Sequence, residues 1–270
     1  MTFPPTLVCV HAHPDDEAIF TAGISSHYAA RGYRVVLVTC TNGMFGYDDQ
    51  GREGSHPQHD GDATRATRAA ELQRAAALVG FARTATLGFD DSGMAGWPQN
   101  ERAGAFMNID VDATARTVAA LLDEVGATVV VTYDENGFYG HPDHIMANLV
   151  TRRALDFASS PQRLYYPIVP RSVFARFIPV AQAQRVFLPA WVLESGAGSP
   201  DELVTTTVDA TLYAARKQAA IAAHASQIDN ADFVTMQPEF FALAFGTEYY
   251  HRAWSRTTAS GDQSDLFGGL

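Results

Sequence analysis

The sequence predicts an α/β protein: a mostly parallel, Rossmann-like sheet flanked by helices, with a smaller, irregular C-terminal portion. Three observations carry this. Short β-branched runs alternate with helical stretches up to about residue 160, the pattern of right-handed βαβ crossovers. Polar, His- and Asp-rich loops follow the carboxyl ends of those runs, where such sheets place their ligands. The chain has 270 residues, 47% hydrophobic and 18% charged, enough to bury one large core.

Leu7–Val10 is a continuous apolar run, as in a strand covered on both faces. Ala18–Arg31 reads as a helix stopped at Gly32. Arg34–Thr41 is a second strand, ahead of a Gly-, Asp- and His-rich loop over 42–61. Ala63–Val79 carries Ala, Leu and Val at helical spacing, and Thr84–Leu87 is a weak strand entering the polar loop 88–108. Asp110–Val125 is a helix, Ala127–Thr132 is the clearest strand, and the loop Tyr133–Asp143 leads to a helix over His144–Ala158. Beyond Pro161 the pattern loses regularity: an aromatic, Pro-rich stretch to Trp191, a Gly/Ser break over 195–199, a strand at Leu203–Val208 and an Ala-rich helix at Ala210–His224. We divide the chain into a core, 1–160, a portion completing fold and pocket, 161–257, and a mobile Gly/Ser-rich tail, 258–270.

Charge excludes two classes. With 19 basic against 30 acidic residues the net charge is −11, the wrong sign for electrostatic binding of nucleic acid. No basic amphipathic stretch suits a membrane surface, and no apolar run approaches the roughly 20 residues of a spanning helix. The first residues lack a basic segment, and Leu7–Val10 is too short for a signal core. Cys9 and Cys40 each sit in an apolar run, as buried thiols of a reducing compartment do, so a cytoplasmic location is expected. Lys217 is the only lysine. The oligomeric state is not legible.

Two motifs carry chemistry. His11-Ala-His13-Pro-Asp15-Asp16-Glu17 follows the first strand, and Tyr139-Gly-His141-Pro-Asp143-His144 follows the strand Ala127–Thr132. Both lie at one edge of the predicted sheet, so they converge in space. A catalytic zinc takes three protein ligands and keeps one position open. His13, Asp16 and His144 supply an N, O, N set that suits zinc, and Asp15 is left as a base towards water. No HExxH motif occurs, and the first strand does not end in GxGxxG, so neither a helix-borne metalloprotease nor a dinucleotide binder is indicated.

AHPDDE at Ala12–Glu17 with GHPDH at Gly140–His144 resembles the LmbE/PIG-L-like zinc de-N-acetylases, closest to the actinobacterial mycothiol-pathway group of GlcNAc-inositol deacetylase and mycothiol-conjugate amidase. The likeness extends through Arg68-Ala-Ala-Glu71-Leu72, Asp91-Ser-Gly-Met94, Val131-Thr-Tyr-Asp134 and Ala223-His224-Ala-Ser-Gln227. The resemblance implies His13, Asp16 and His144 as ligands of one zinc, or of ferrous iron in the cell, and Asp15 as general base. It implies His141 as oxyanion stabiliser or acid towards the leaving amine, with Asp143 orienting its imidazole and raising its pKa. Tyr139 corresponds to a tyrosine that reaches the carbonyl oxygen, and Arg68 and Asp91 to residues that bind sugar or inositol hydroxyls. The implied reaction removes an N-acetyl group from an amino sugar or sugar conjugate. A larger mycothiol-type or natural-product amide is the alternative substrate, and an inactive ligand-binding relative the alternative without chemistry.

One departure stands out. Where the family commonly has Thr-x-Gly-Glu-x-Gly, this chain reads Thr41-Asn-Gly43-Met44-Phe45-Gly46, so a carboxylate near the substrate pocket is expected to be a thioether. Residues 47–60, with His56 and His59, read as a solvated loop rather than a second metal site. His224 reads as a helix-end or pocket-lining residue. Trp97, Phe106, Trp191, Tyr249 and Tyr250 are candidates for a sugar-stacking wall or for core.

Overall fold

The computed structural model describes residues 4–186, 188, 190–193, 196–258 and 263–270. Its strands are β1 (Thr6–His11), β2 (Arg34–Thr41), β3 (Arg83–Phe89), β4 (Val129–Val131), β5 (Arg163–Ile168), β6 (Thr206–Asp209) and β7 (Thr247–Ser255). They form one sheet in the order β3-β2-β1-β4-β5-β7-β6. The first five strands pair in parallel, β7 runs antiparallel to β5, and β6 antiparallel to β7. The helices are α1 (Asp16–Phe20), α2 (Ala22–Ala30), α3 (Gly61–Val79), α4 (Val111–Val125), α5 (Gly137–Gly140), α6 (Pro142–Ala154), α7 (Arg171–Ala183), α8 (Ala214–Ala223), α9 (Ala231–Thr235) and α10 (Pro238–Phe245).

The central strands are buried along nearly their whole length, with apolar runs at their centres, because both faces are covered. Val8, Val10, Val36 and Val38 pack with Val118 and Leu122 of α4 and Val150 of α6. The alternate set, Leu7, Cys9, Val35 and Leu37, packs with Ile24 and Tyr28 of α2. Side chains two apart share a face, so one run serves two cores. Cys9 and Cys40 are both free and buried, and burial pushes the Cys9 thiol up to about 12.

Several expectations are corrected. The helix expected over Ala18–Arg31 begins earlier, at Asp16, and is two helices, α1 and α2, broken at Thr21. There the Thr21 hydroxyl donates to Glu17 O at 3.3 Å and lies 2.8 Å from His11 Nε2, a local bond that competes with helix. The irregular stretch after Pro161 contains β5 and α7, and β7 and α10 follow later. The expectation of a mobile tail is corrected for residues 263–270, which are packed; residues 259–262 lie outside the described residues. Leu266 and Phe267 are buried against Tyr28 and Tyr33, and Leu266 O accepts from Arg163 Nη1 at 3.0 Å and Tyr165 Oη at 3.1 Å. The Trp191 side chain and Ser195 also lie outside the described residues. No described helix is long and apolar enough to cross a membrane.

A buried ion pair ties the late strands to the early helices. Lys217 of α8 donates to Glu248 Oε1 of β7 at 2.7 Å. Glu248 also accepts from the N–H groups of Gly23 and Ile24, both at 3.0 Å, and from the Tyr250 hydroxyl at 2.7 Å. With its lone pairs satisfied, this pair avoids the cost of an uncompensated buried charge.

Candidate metal centre and active site

β1 and β4 are neighbours, so the loops at their carboxyl ends meet. In the first loop the N–H of His13 donates to Asp16 Oδ2 at 2.7 Å, turning the Asp16 carboxylate back under the imidazole. His13 Nδ1 lies 3.3 Å from that same oxygen, and its Nε2 lies 3.1 Å from Asp143 Oδ2 and 3.8 Å from Asp91 Oδ1. Burial alone would lower the His13 pKa, but these three carboxylates hold it well above the ordinary value. Asp16 is held well below the carboxylate range: burial opposes this, and His144 and His13 outweigh it. A cation held between these groups would take the place of the His13 proton in that role.

The second loop turns at Gly137 and Phe138, with φ of 62° and 65°. A Cβ at Gly137 would stand 2.7 Å from His144 Cβ, so only glycine lets α6 start this close. His144 is fully buried and donates from Nδ1 to Gly137 O at 3.1 Å. That aims Nε2, which has no hydrogen-bond partner, at Asp16 Oδ1 3.4 Å away. An imidazole nitrogen and a carboxylate at this distance are held together by a positive charge between them, a proton or a metal ion. The donors therefore fit a divalent ion.

Other groupings are also within reach. Ligand atoms of His13, His141 and His144 lie within 4.8 Å of one another, as do those of His13, Asp91 and Asp143. Asp16 joins the expected set pairwise, through its contacts to His13 and His144. Tyr133 holds this arrangement, a role that sequence reasoning missed. Its hydroxyl donates to Asp16 Oδ2 at 2.6 Å and accepts the Ala12 N–H at 2.8 Å, while its ring stacks on His144 at 4.0 Å.

The expected pairing of Asp143 with His141 does not occur. Because α6 begins at Pro142, Asp143 lies in its first turn, and its backbone N–H donates to His141 Nδ1 at 3.1 Å. Its carboxylate instead accepts from Ser92 N–H at 2.9 Å and faces His13. The His141 pKa consequently moves the other way: burial, then the His13 and His144 charges, push it well below the ordinary value. The His141 ring centroid is 4.5 Å from that of His13, and Tyr139, 39% exposed, lies with its centroid 5.0 Å from His144.

Asp15 has φ 125° and ψ −26°, and its Oδ1 accepts from Arg68 Nη2 at 3.0 Å. Its pKa is pushed up to about 6, by burial and then against the pull of Arg68 by the Asp16 charge. Arg68 is itself buried and also donates to Gly43 O at 2.8 Å and Pro14 O at 2.5 Å. Asp91 accepts from Gly93 N–H at 2.7 Å and Phe45 N–H at 3.3 Å. Both residues border the cavity while serving as struts for the loops beneath it.

That cavity measures about 680 Å³. Asp15, His13, Tyr139 and His141 line it on one side, and Phe174 and Phe177 of α7, Phe233 and Phe245 on another. Trp97 and Tyr249 border it; Phe106 and Tyr250 are core. Met44 does not border it. Its methyl lies 2.9 Å from where a Gly61 Cβ would be, so the thioether packs on the start of α3 and Phe45 faces the cavity. His59 Nε2 is bonded to Gly46 O at 2.9 Å, and neither His56 nor His59 belongs to a ligand cluster among the described residues.

A family model described as PIG-L, GlcNAc-PI de-N-acetylase, matches residues 8–155, which span β1 through α6 and both motifs. The chain belongs to the PIG-L family. It is an enzyme of the de-N-acetylase class, acting on an amide carbon–nitrogen bond. Among its PIG-L relatives, the 1D-myo-inositol 2-acetamido-2-deoxy-α-D-glucopyranoside deacetylase of Acidothermus cellulolyticus is 39% identical, over 98% of this chain and 95% of its own. Among solved structures, the N,N'-diacetylchitobiose deacetylase of Pyrococcus horikoshii is similar with a TM-score of 0.58 and 16% identity, covering 92% of this chain and 82% of the other. The 4-carboxy-2-hydroxymuconate hydratase of Pseudomonas putida KT2440 reaches 0.62 at 16% identity, covering 94% and 98%. A hydratase on the same fold shows that architecture alone does not choose the reaction.

Proposed function

We propose that this protein is a metal-dependent hydrolase that removes the N-acetyl group of a GlcNAc-inositol-type amino sugar conjugate, with His13, Asp16 and His144 holding one divalent ion. The observation that carries this is the buried, unpartnered Nε2 of His144 facing the Asp16 carboxylate. The N, O, N set favours zinc, with ferrous iron as the cellular alternative. When bound, such an ion supplies Lewis acidity, polarising the amide carbonyl and lowering the pKa of water towards about 7. Asp143, through its contact to His13 Nε2, orients that ligand in the usual carboxylate–imidazole manner.

The remaining roles follow from protonation. Asp15, with its pKa at about 6, is ionised at neutral pH and takes the proton of the attacking water. As the carbon–nitrogen bond breaks, Asp15 passes that proton to the departing amine, leaving acetate and a free amino sugar. His141 is neutral, and since its Nδ1 accepts from Asp143, its Nε2 carries the hydrogen. It therefore donates to the developing oxyanion together with the Tyr139 hydroxyl. Arg68 and Asp91 border the cavity where the sugar binds. The filled set of roles favours an enzyme over an inactive binder, and two free, buried thiols favour the cytoplasm.

Elemental analysis with a deacetylation assay on GlcNAc-inositol tests the reading. One metal per chain and loss of activity in chelator are expected; full activity without metal overturns it. A second reading, a larger amide such as a thiol conjugate, is favoured by the aromatic side of the 680 Å³ cavity, which an acetylated sugar leaves unused. Turnover of an S-conjugated amide in preference to the acetylated sugar decides for it.

A further inference from the structure

Two ionisable residues with no exposed side-chain surface, Glu17 and His224, touch the catalytic loop without entering the scheme above. His224 stands at the C-terminal cap of α8, and its Nε2 lies 2.7 Å from Glu17 Oε1. The other carboxylate oxygen, Oε2, accepts the backbone N–H of Asp15 at 3.0 Å. Asp15 is one of three non-glycine residues at positive φ among the described residues, at 125°. A residue with a Cβ holds such a conformation only where its surroundings impose it. One carboxylate thus spends both oxygens on the base: one on its backbone, one on an imidazole that stops the carboxylate from turning.

Neither Glu17 nor His224 borders the cavity, whereas Asp15 does. His224 also arrives from a segment anchored without it. The Ser226 N–H and hydroxyl donate to the two oxygens of Glu71 at 2.9 and 2.7 Å, and Gln227 Oε1 accepts the Tyr47 N–H at 3.3 Å. Removing the imidazole therefore leaves the segment in place and frees only Glu17.

We propose that Glu17 and His224 are positioning residues for the hydrolysis: His224 fixes the Glu17 carboxylate, which clamps the Asp15 backbone in the turned conformation that presents the base to the cavity. This rests on the assignment of Asp15 as base.

The test uses the metal-loaded protein, with kcat and KM on GlcNAc-inositol, metal content, and hydrogen exchange of a peptide spanning residues 11–17. His224→Ala and Glu17→Ala are expected to lower kcat roughly 10–100-fold, the range for a misplaced catalytic group, with KM and metal content nearly unchanged. Exchange in the peptide rises. Glu17→Gln keeps an acceptor for the Asp15 N–H and holds His224 Nε2 through its amide N–H once the imidazole takes the Nδ1–H tautomer, and should restore kcat to within about threefold of the parent. In an Asp15→Asn background the alanine substitutions should change kcat less than about twofold, because the group they position is gone. An equal loss in both backgrounds, or loss of metal from either alanine variant, overturns the proposal. So does unchanged exchange, which decides the matter even if Asp15→Asn proves active and the base assignment fails. Should Glu17→Ala not fold, His224→Gln, which keeps an N–H donor, must show near-parental kcat where His224→Ala does not.

Discussion

The tripeptide His-Pro-Asp occurs twice, as His13-Pro14-Asp15 after β1 and as His141-Pro142-Asp143 after β4, and the copies are used differently. In the first, α1 begins only at Asp16, so Asp15 lies outside the helix at positive φ, with its carboxylate at the cavity. In the second, α6 begins at Pro142, so Asp143 lies in the first turn and is fully buried, facing His13. The histidines divide likewise. His13 sits among three carboxylates, whereas His141 accepts a backbone N–H and lies beside two other imidazoles. The place where a helix starts, two residues earlier or later in the motif, turns one aspartate into a base and the other into a support.

Exchanging charge at the two aspartates breaks this comparison most sharply. Asp15→Asn should lower kcat roughly 10²–10⁴-fold and keep the metal, the loss expected for a general base. Steady-state kinetics with elemental analysis checks it, and loss of metal would reverse the roles of Asp15 and Asp16. Next in size is a pH effect at His11, which bonds Thr21 and Tyr133 and is pushed down to about 4, chiefly by burial. It is neutral in the fold, while the unfolded chain takes up a proton below its ordinary pKa of about 6.5. Stability is therefore complete above pH 6.5 and falls by about 3 kcal/mol as pH drops towards 4. Denaturant titrations of the parent and His11→Gln between pH 4 and 7 should differ by that slope.

Asp143→Ala should weaken metal affinity roughly 10–100-fold, the effect of removing a ligand's carboxylate partner. Competition with a chelator of known affinity measures it; unchanged affinity with lower kcat would return Asp143 to His141. Arg68→Lys is expected to have the smallest effect, about tenfold on kcat with KM held, since a point charge cannot replace a guanidinium shared by Asp15, Pro14 and Gly43. A change confined to KM would make Arg68 a substrate contact first.

β1, β2 and β4 are legible because valine-rich runs buried on both faces leave no ambiguity, and the polar residues that follow them stand where ligands bind. β5 and β7 are not. β5 buries Arg163 and contains Pro167, and β7 begins by burying Glu248, each satisfied by partners far along the chain. The motifs likewise locate His13, Asp16 and His144, but local spacing cannot say which way Asp143 points. That depends on Ser92, which comes from a different strand end. Tyr133 escapes for the same reason: an aromatic after a strand reads as core until its hydroxyl is seen on Asp16.

The Lys217–Glu248 pair has a practical side. Lys217 is the only lysine in the sequence and only 3% exposed, so every basic side chain on the surface is a guanidinium or an imidazole. Modifying enzymes that act on a lysine ε-amine find no target on the outer surface of the folded protein, and crosslinkers of that class have no surface lysine through which to join two copies. The ammonium of Lys217 is held by Glu248 of β7, and becomes fully exposed when α8 and β7 part. Acylation at this one position is thus a direct chemical reading of whether the late strands have left the sheet.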